Sequence, residues 1–467
     1  MRHVKRAALF PAVLALLVPT AAHATAAGTI FSGPTTADVS SIYWNPGAMT
    51  GISGTMVTAF GGLSVIRGQY WRDTPIPLTG EPYPRADLFV IKPDPVLGVV
   101  TSAGLKRWRF GLGIAAPLID GASWKETYAG KPASTRYYAI DGRLVQIYLE
   151  PAVAFRAHRM ISIGVGLDIT ATWVAQTLVT DFAARINQLA CSALGAPSSS
   201  CRTDSPLTRE DPRYDAPTSL GGVGWGVGVY AGALFTPWPW LQIGAAFHSG
   251  PGDVSVPVEM EVQLPTTVTD FVRQSLPSVK LPELKAEGSV EVSSPWILTA
   301  GLKVLPTPRL ELSADLQYMN KSALTTLVGN IHRASSELIT GQVLVKASRD
   351  DILTGVRGAY QVRDDLRVAL RIEFGRNTRP DRYTTPVSLD MDKLSLHVGA
   401  SWQATRRIQL FLEYAHYFIF TREIRETNFA PNALPTTPEE EGFDRPSPTG
   451  TYSAQTDRVG LGMTLSF

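Results

Sequence analysis

The sequence predicts an all-β protein: a transmembrane antiparallel β-barrel of about 14 strands, preceded by a compact N-terminal plug. Three observations carry this expectation. Long stretches alternate apolar residues with small or polar ones at a period of two. Short turn signals alternate with long polar segments along the chain. A secretory leader comes first, and no later apolar run approaches the roughly 18 residues that a spanning helix needs.

The leader occupies residues 1–24. Arg2, Lys5 and Arg6 form a basic start, Ala7 to Leu17 a short apolar run, and Ala22-His23-Ala24 a small-residue cleavage site. The mature chain is therefore expected to be exported. The net charge is +2, and three of the positive charges lie in the leader, which argues against a nucleic-acid partner. Charged residues make up 18% of the chain, fewer than the roughly 25% of a soluble domain.

Residues 25–53 stand apart from the rest of the mature chain. Ser40-Ser41-Ile42-Tyr43-Trp44-Asn45-Pro46-Gly47-Ala48-Met49 is too aromatic and too broken by turn residues for a strand. Pro46 pushes Asn45 out of the helical region. The segment is expected to be compact, ahead of a barrel over 54–467.

From there the pattern is of strands. Ile161, Ile163, Val165, Leu167, Ile169, Ala171 and Trp173 alternate with Ser, Gly, Asp and Thr. Trp225 to Phe235, Val368 to Phe374 and Leu394 to Trp402 repeat the pattern. These runs exceed the usual strand of about 5–6 residues and suit the roughly 9–11 of a tilted spanning strand. Their second face carries Gly, Ser, Thr and occasional charge, which fits an enclosed lumen with an apolar exterior in lipid. Short turns fall near residues 106–107, 158–159, 237–239, 306–308, 363–365 and 405–407. Longer polar loops are expected at 67–96, 118–136, 181–219, 250–290, 320–350, 376–392 and 422–455. Six turns between seven hairpins give the strand number. The last strand alternates from Val459 to the terminal Phe467, the form that outer-membrane barrels present to their assembly machinery.

Two loops carry helix-like pieces with apolar faces: Phe182, Ile186 and Leu189 in 181–219, and Phe271, Val272 and Leu276 in 250–290. Either they pack on the barrel rim or they form a groove that captures a hydrophobic ligand. Cys191 and Cys201 are expected to pair in an oxidising compartment. Asp168, Arg371 and Glu373 fall in the inward register, where charge must be paired or solvated. Arg371 has two candidate partners, Glu373 or a ligand carboxylate. Catalytic patterns are absent: there is no G-x-S-x-G and no H-E-x-x-H. The G-x-G-x-x-A match at Gly111 runs into Pro117 within a strand, where a dinucleotide site needs a helix. The scattered histidines are assigned to no metal, and no cofactor is expected.

In this setting the chain resembles the FadL/TodX family, the long-chain fatty acid transporters of bacterial outer membranes. Asp38 to Met49, with Trp44-Asn45-Pro46-Gly47 at its centre, is similar to the family's N-P-A segment, with Gly47 in place of Ala. Phe110-Gly111-Leu112-Gly113-Ile114-Ala115-Ala116-Pro117 is close to its third-strand pattern. The run from Gly224 to Phe247 and the C-terminal strand complete the likeness. The resemblance implies a 14-stranded barrel and a movable hatch that includes Asp38, Trp44, Asn45, Pro46 and Gly47. It also implies a kinked third strand, at Phe110, Gly111, Gly113 and Pro117, that opens a lateral gap. Hydrophobic small molecules, mainly long-chain fatty acids, would be captured by the third and fourth loops and released sideways into the membrane. The partners expected are that substrate, outer-membrane lipid and lipopolysaccharide, and the barrel-assembly machinery, with the protein a monomer. A non-transporting structural or adhesin barrel, and a lipid hydrolase built on His397 or His416 with a lumen serine, are the competing functions.

Overall fold

The computed structural model describes residues 28–183, 207–275, 284–323, 326–334, 343–345, 348–386, 390–427 and 447–467. Ile186, Leu189, Leu276, Cys191, Cys201 and the leader lie outside the described residues.

Fourteen antiparallel strands close into a barrel. They are β1 (Thr55–Arg72), β2 (Ala86–Thr101), β3 (Trp108–Ser123), β4 (Asp141–His158), β5 (Ile161–Asp181), β6 (Asp215–Trp238) and β7 (Leu241–His248). The remaining seven are β8 (Ile297–Thr307), β9 (Leu310–Met319), β10 (Asp351–Arg363), β11 (Leu366–Gly375), β12 (Lys393–Gln403), β13 (Ile408–Ile419) and β14 (Gly450–Ser466). Each pairs with the next, and β14 closes on β1 from Met56 opposite Ser466 to Arg72 opposite Gly450. Closure pairs every strand on both sides, as a sheet in lipid requires, except along part of β2 and β3.

The period-two pattern sorts side chains as expected. Val223, Trp225, Val227 and Val229 point outward, with Trp225 71% exposed, while Gly222, Gly224, Gly226 and Gly228 face in. Aromatic residues gather at the short-turn end: Trp238 stacks on Trp240 at 5.4 Å, and Trp108 packs on Phe155. Apolar bands ending in aromatic girdles suit a membrane interface.

All six short turns occur where expected, and the strand ends that lead into the seven long connections lie at the other end. Their bounds differ. The first spans 73–85 rather than 67–96, because β2 contains Lys92-Pro93-Asp94-Pro95, a run that looks like loop. Proline removes a ladder donor, so it survives only on an edge that does not need one. The fourth connection holds a hairpin (Asp253–Val262 and Leu284–Ser293) around α1 (Thr266–Ser275). That hairpin lies on the inner face of β6. A Cβ added at Gly222 would sit 1.8 Å from the Pro257 carbonyl oxygen, so only glycine lets the two backbones approach.

The N-terminal segment fills the lumen. It contains a short helix (Ser41–Trp44) and a 3₁₀ turn (Pro46–Gly51). Gly54, at φ +67°, then turns the chain into β1, where any Cβ would strike the Phe467 carbonyl oxygen.

Candidate functional site

Three features of the lumen lie together: the seat of the plug, a break in the wall beside it, and a chamber above it.

Asn45 is the centre of the seat. It is fully buried, its Nδ2 donates to the carbonyls of Pro34 and Ala233, both at 2.8 Å, and its Oδ1 accepts from Gly47 N at 3.0 Å. One side chain thus ties two parts of the plug to each other and to β6. Pro46 fits the N-terminal position of the 3₁₀ turn, where no N–H donor is needed. Gly47 is packed against the wall: a Cβ would lie 3.0 Å from the carbonyl oxygens of Ser162 and Gly232. Its place is therefore set by close approach to β5 and β6. The wall is carved to match, because a Cβ at Gly164 would meet the Pro46 carbonyl carbon at 2.5 Å, and one at Gly232 would meet Asn45 Oδ1 at 2.3 Å.

Side chains from around the barrel hold the plug backbone. His248 Nε2 lies 2.7 Å from Tyr43 O, and Thr299 Oγ1 donates to Trp44 O. Arg357 donates to the carbonyls of Ile30 and Ser32, and Glu413 accepts from Ile30 N at 2.6 Å. Arg109 and Arg156 hold the carbonyls of Ile52 and Thr50. Ile42, Tyr43, Trp44 and Met49 are buried, and each such side chain contributes roughly 1.5–3 kcal/mol. Asp38 accepts from the Ser40 hydroxyl at 2.5 Å. Burial nevertheless raises its carboxyl above the usual 3.8, outweighing that bond and the pull of Arg357. Burial also drives the Tyr43 phenol up, reinforced by the negative charges of Glu150 and Asp168.

The wall breaks between β2 and β3. The two pair only from Leu97–Ile114 to Thr101–Phe110. Beyond that point, among the described residues, β2 pairs with β1 alone and β3 with β4 alone. The register of β3 on β4 shifts between Ala115 and Leu118, so the bulge is at Ala116-Pro117. Gly111 and Gly113, expected at a kink, pair regularly on both sides; their missing side chains make room for Ile42 and Met49 of the plug. Phe110 faces outward. Prolines mark both edges of the break: Pro93 and Pro95 on β2, Pro117 on β3. Residues i and i+2 aim their backbone nitrogens to the same side. Since the β1 side of β2 is laddered throughout, the donors missing at Pro93 and Pro95 belong to the side that β3 leaves open. The signal is present in the sequence, where two prolines in four residues are indistinguishable from a loop. Tyr43 and Trp44 pack with Ala115 and Val96 at the rim of the break.

Above the N-terminal end of the plug is an open chamber. Ile66, Met319, Leu353 and Ile419 supply apolar lining, and the charges are of both signs: Lys92, Lys393 and Arg458 against Asp351, Glu373 and Glu413, with Arg458 paired to Asp94 and Glu413. Arg371 also lines it, but its guanidinium is tied to Glu373 (2.6 Å), Asp315 (3.2 Å) and the Ser32 carbonyl. Arg371 thus braces the plug. In this chamber Ser395 and His397 adjoin Glu373, yet the hydroxyl (2.9 Å) and the carboxylate (3.2 Å) both face His397 Nε2. A nucleophilic relay needs them on opposite ring nitrogens, so this trio cannot act as one.

At the far end of the barrel, described residues of several loops touch one another. Phe182 joins Ala216, Leu284 and Ala286 in one apolar cluster against which Val268 of α1 packs, so the third and fourth loops do meet. The side chains of Phe271 and Val272 lie outside the description, although both residues are in α1. Glu210 locks three connections together: Arg72 binds it through both terminal nitrogens (2.7 and 2.9 Å), Tyr83 donates to it, and Arg136 donates to its carbonyl.

Known structures share this architecture. A FadL homologue of Pseudomonas aeruginosa is 17% identical over 97% of this chain and 99% of its own, with a TM-score of 0.76. The toluene transporter TodX of P. putida is 14% identical over 97% and 99%, at 0.62. The toluene transporter TbuX of Ralstonia pickettii is 14% identical over 93% and 98%, at 0.59. At these identities the likeness shows the fold. No curated protein sequence matches the chain. The family match is what extends beyond fold: residues 14–467 fit the description "Outer membrane protein transport protein (OMPP1/FadL/TodX)". With its barrel, filled lumen and near-complete family match, this chain belongs to the FadL/TodX family of outer-membrane channels for hydrophobic compounds.

Proposed function

We propose that the protein carries long-chain fatty acids inward across the outer membrane by passive diffusion. The third and fourth loops capture the molecule, the chamber holds it, the plug gates its path, and it leaves sideways between β2 and β3. The observation that carries this reading is the proline-edged break in the wall, with Tyr43 and Trp44 of the plug at its rim. An apolar molecule leaving there enters lipid without crossing water, and so keeps its hydrophobic burial of roughly 25 cal/mol per Å². The aliphatic lining of the chamber suits a long acyl tail, and Lys92 and Lys393, balanced there by Asp351, Glu373 and Glu413, are the groups that its carboxylate would approach.

Deleting Pro117 tests the exit. Ala115 faces Tyr148 and Leu118 faces Gln146, so one residue is in excess and its removal restores continuous register. In cells lacking other uptake routes, the deletion is expected to reduce uptake of labelled oleate at least tenfold with normal surface levels of the barrel. Undiminished uptake would rule out the lateral route. Equal uptake of toluene and oleate by the intact protein would overturn the preference for an acid.

A further inference from the structure

Behind the plug, at one level of the wall, three ligand-type side chains converge from different strands. Glu150 on β4 and Asp168 on β5 are bracketed by the pairs Leu149–Ile169 and Ala152–Gly166. Asp168 lies opposite Gly228 of β6, which puts no side chain between it and β7. Gly166 pairs with Tyr230, and Tyr230 with His248 of β7. Glu150, Asp168 and His248 are 1%, 0% and 1% exposed, and one ligand atom from each lies within 4.8 Å of the others.

The hydrogen bonds make this arrangement incomplete. His248 Nε2 lies 2.7 Å from the Tyr43 carbonyl, which can only accept, so this nitrogen carries the proton. In a neutral imidazole Nδ1 is then a lone pair. It lies 3.1 Å from Asp168 Oδ2, a contact that needs a proton or a metal ion between the two atoms. Asp168 Oδ1 and Glu150 Oε1 are buried without partners. No Lys or Arg among the described residues hydrogen-bonds either carboxylate. Buried charge is paired, neutralised by a proton or coordinated to a metal, and a cation seated among these oxygens and Nδ1 would meet every open position.

We propose that Glu150, Asp168 and His248 bind a divalent transition-metal ion of the zinc type, which clamps the plug to the wall. One imidazole nitrogen and two carboxylates form a borderline-hard donor set that suits zinc. Two ligand atoms each about 2.0–2.1 Å from one zinc ion lie close to 3 Å apart when they subtend about a right angle, as the observed 3.1 Å requires. The outer support is present too: the other ring nitrogen donates to a backbone carbonyl, which fixes the tautomer. Tyr230 stacks on the imidazole at 4.7 Å and 9°, holding its plane. Because that supporting carbonyl belongs to Tyr43, metal binding and plug seating share one ring.

The test uses the full-length protein folded in detergent with zinc, manganese or calcium, then freed of unbound ion. Elemental analysis is expected to find about one zinc per chain in wild type and less than a tenth in the isosteric Glu150→Gln, Asp168→Asn double variant. Zinc should raise the melting temperature, and slow amide exchange at residues 41–45, in wild type alone. Cobalt loaded in place of zinc should give the visible absorption of a nitrogen–oxygen site, a readout that needs no variant. Wild type without bound metal, or equal metal in the double variant, would overturn the proposal, as would calcium retained in preference to zinc. Each outcome is independent of whether fatty acids are transported.

Discussion

Asn45→Ala should unseat the plug while leaving the barrel closed. The substitution removes three hydrogen bonds at a position with no solvent access, and leaves the Pro34 carbonyl and the Gly47 N–H without partners, while the Ala233 carbonyl keeps its place in the ladder opposite Ala245. Each buried group so orphaned costs roughly 1–3 kcal/mol. Two of them sum to at least about 2 kcal/mol, and at about 1.4 kcal/mol per decade the unseated population rises more than tenfold. The strand ladder contains no Asn45 contact except that to Ala233 O, so barrel stability should change little. Amide exchange by mass spectrometry reads both quantities in one sample. Plug peptides over 30–54 should lose protection by more than one order of magnitude, and peptides from β9 to β13 should not change. Planar-bilayer recordings should show larger and more frequent openings. Wild-type protection over 30–54 would refute the idea that Asn45 holds the plug.

Other outcomes rest on the same geometry. Gly232→Ala places a methyl 2.3 Å from Asn45 Oδ1 and should cost about 1–3 kcal/mol of seating by overpacking, read as faster plug exchange; Gly61→Ala, with nothing within 4 Å, is the control, and equal effects would contradict the carved seat. Because burial raises the Asp38 carboxyl above 3.8, its protonated form suits the seated plug; the contribution is complete below the unfolded value and is lost as pH rises through the folded one. Plug protection, corrected for intrinsic exchange, should therefore fall on going from acid to neutral pH, less so in Asp38→Asn, and identical profiles would dismiss a role for Asp38. Glu210→Ala leaves the Arg72 guanidinium buried without its counter-charge, at roughly 3–5 kcal/mol, so residues 73–85 and 124–140 should become sensitive to protease; an unchanged digest would show that the outer loops do not depend on this lock.

The period of two, the six turns, the seven loops and the strand number were legible in the sequence, because lipid outside and a lined lumen inside impose alternation on every strand. The compact character of residues 40–49 was legible too, since Asn45-Pro46 and its aromatic neighbours fit no strand. Tertiary structure alone decided what the glycines are for. Gly111, Gly113, Gly164 and Gly232 look alike in sequence, as small residues on an inward face, yet each is shaped by the part of the plug that presses on it. The break in the wall arises at Ala116-Pro117 and along Pro93 and Pro95, where backbone donors are missing on an edge that has lost its neighbour; chain order cannot say which edge that is. Arg371 is held by residues from β9, β11 and the plug, and Glu150, Asp168 and His248 meet only because four strands align at one height. Local pattern determines which face a residue occupies, whereas barrel closure and register determine whom it meets there.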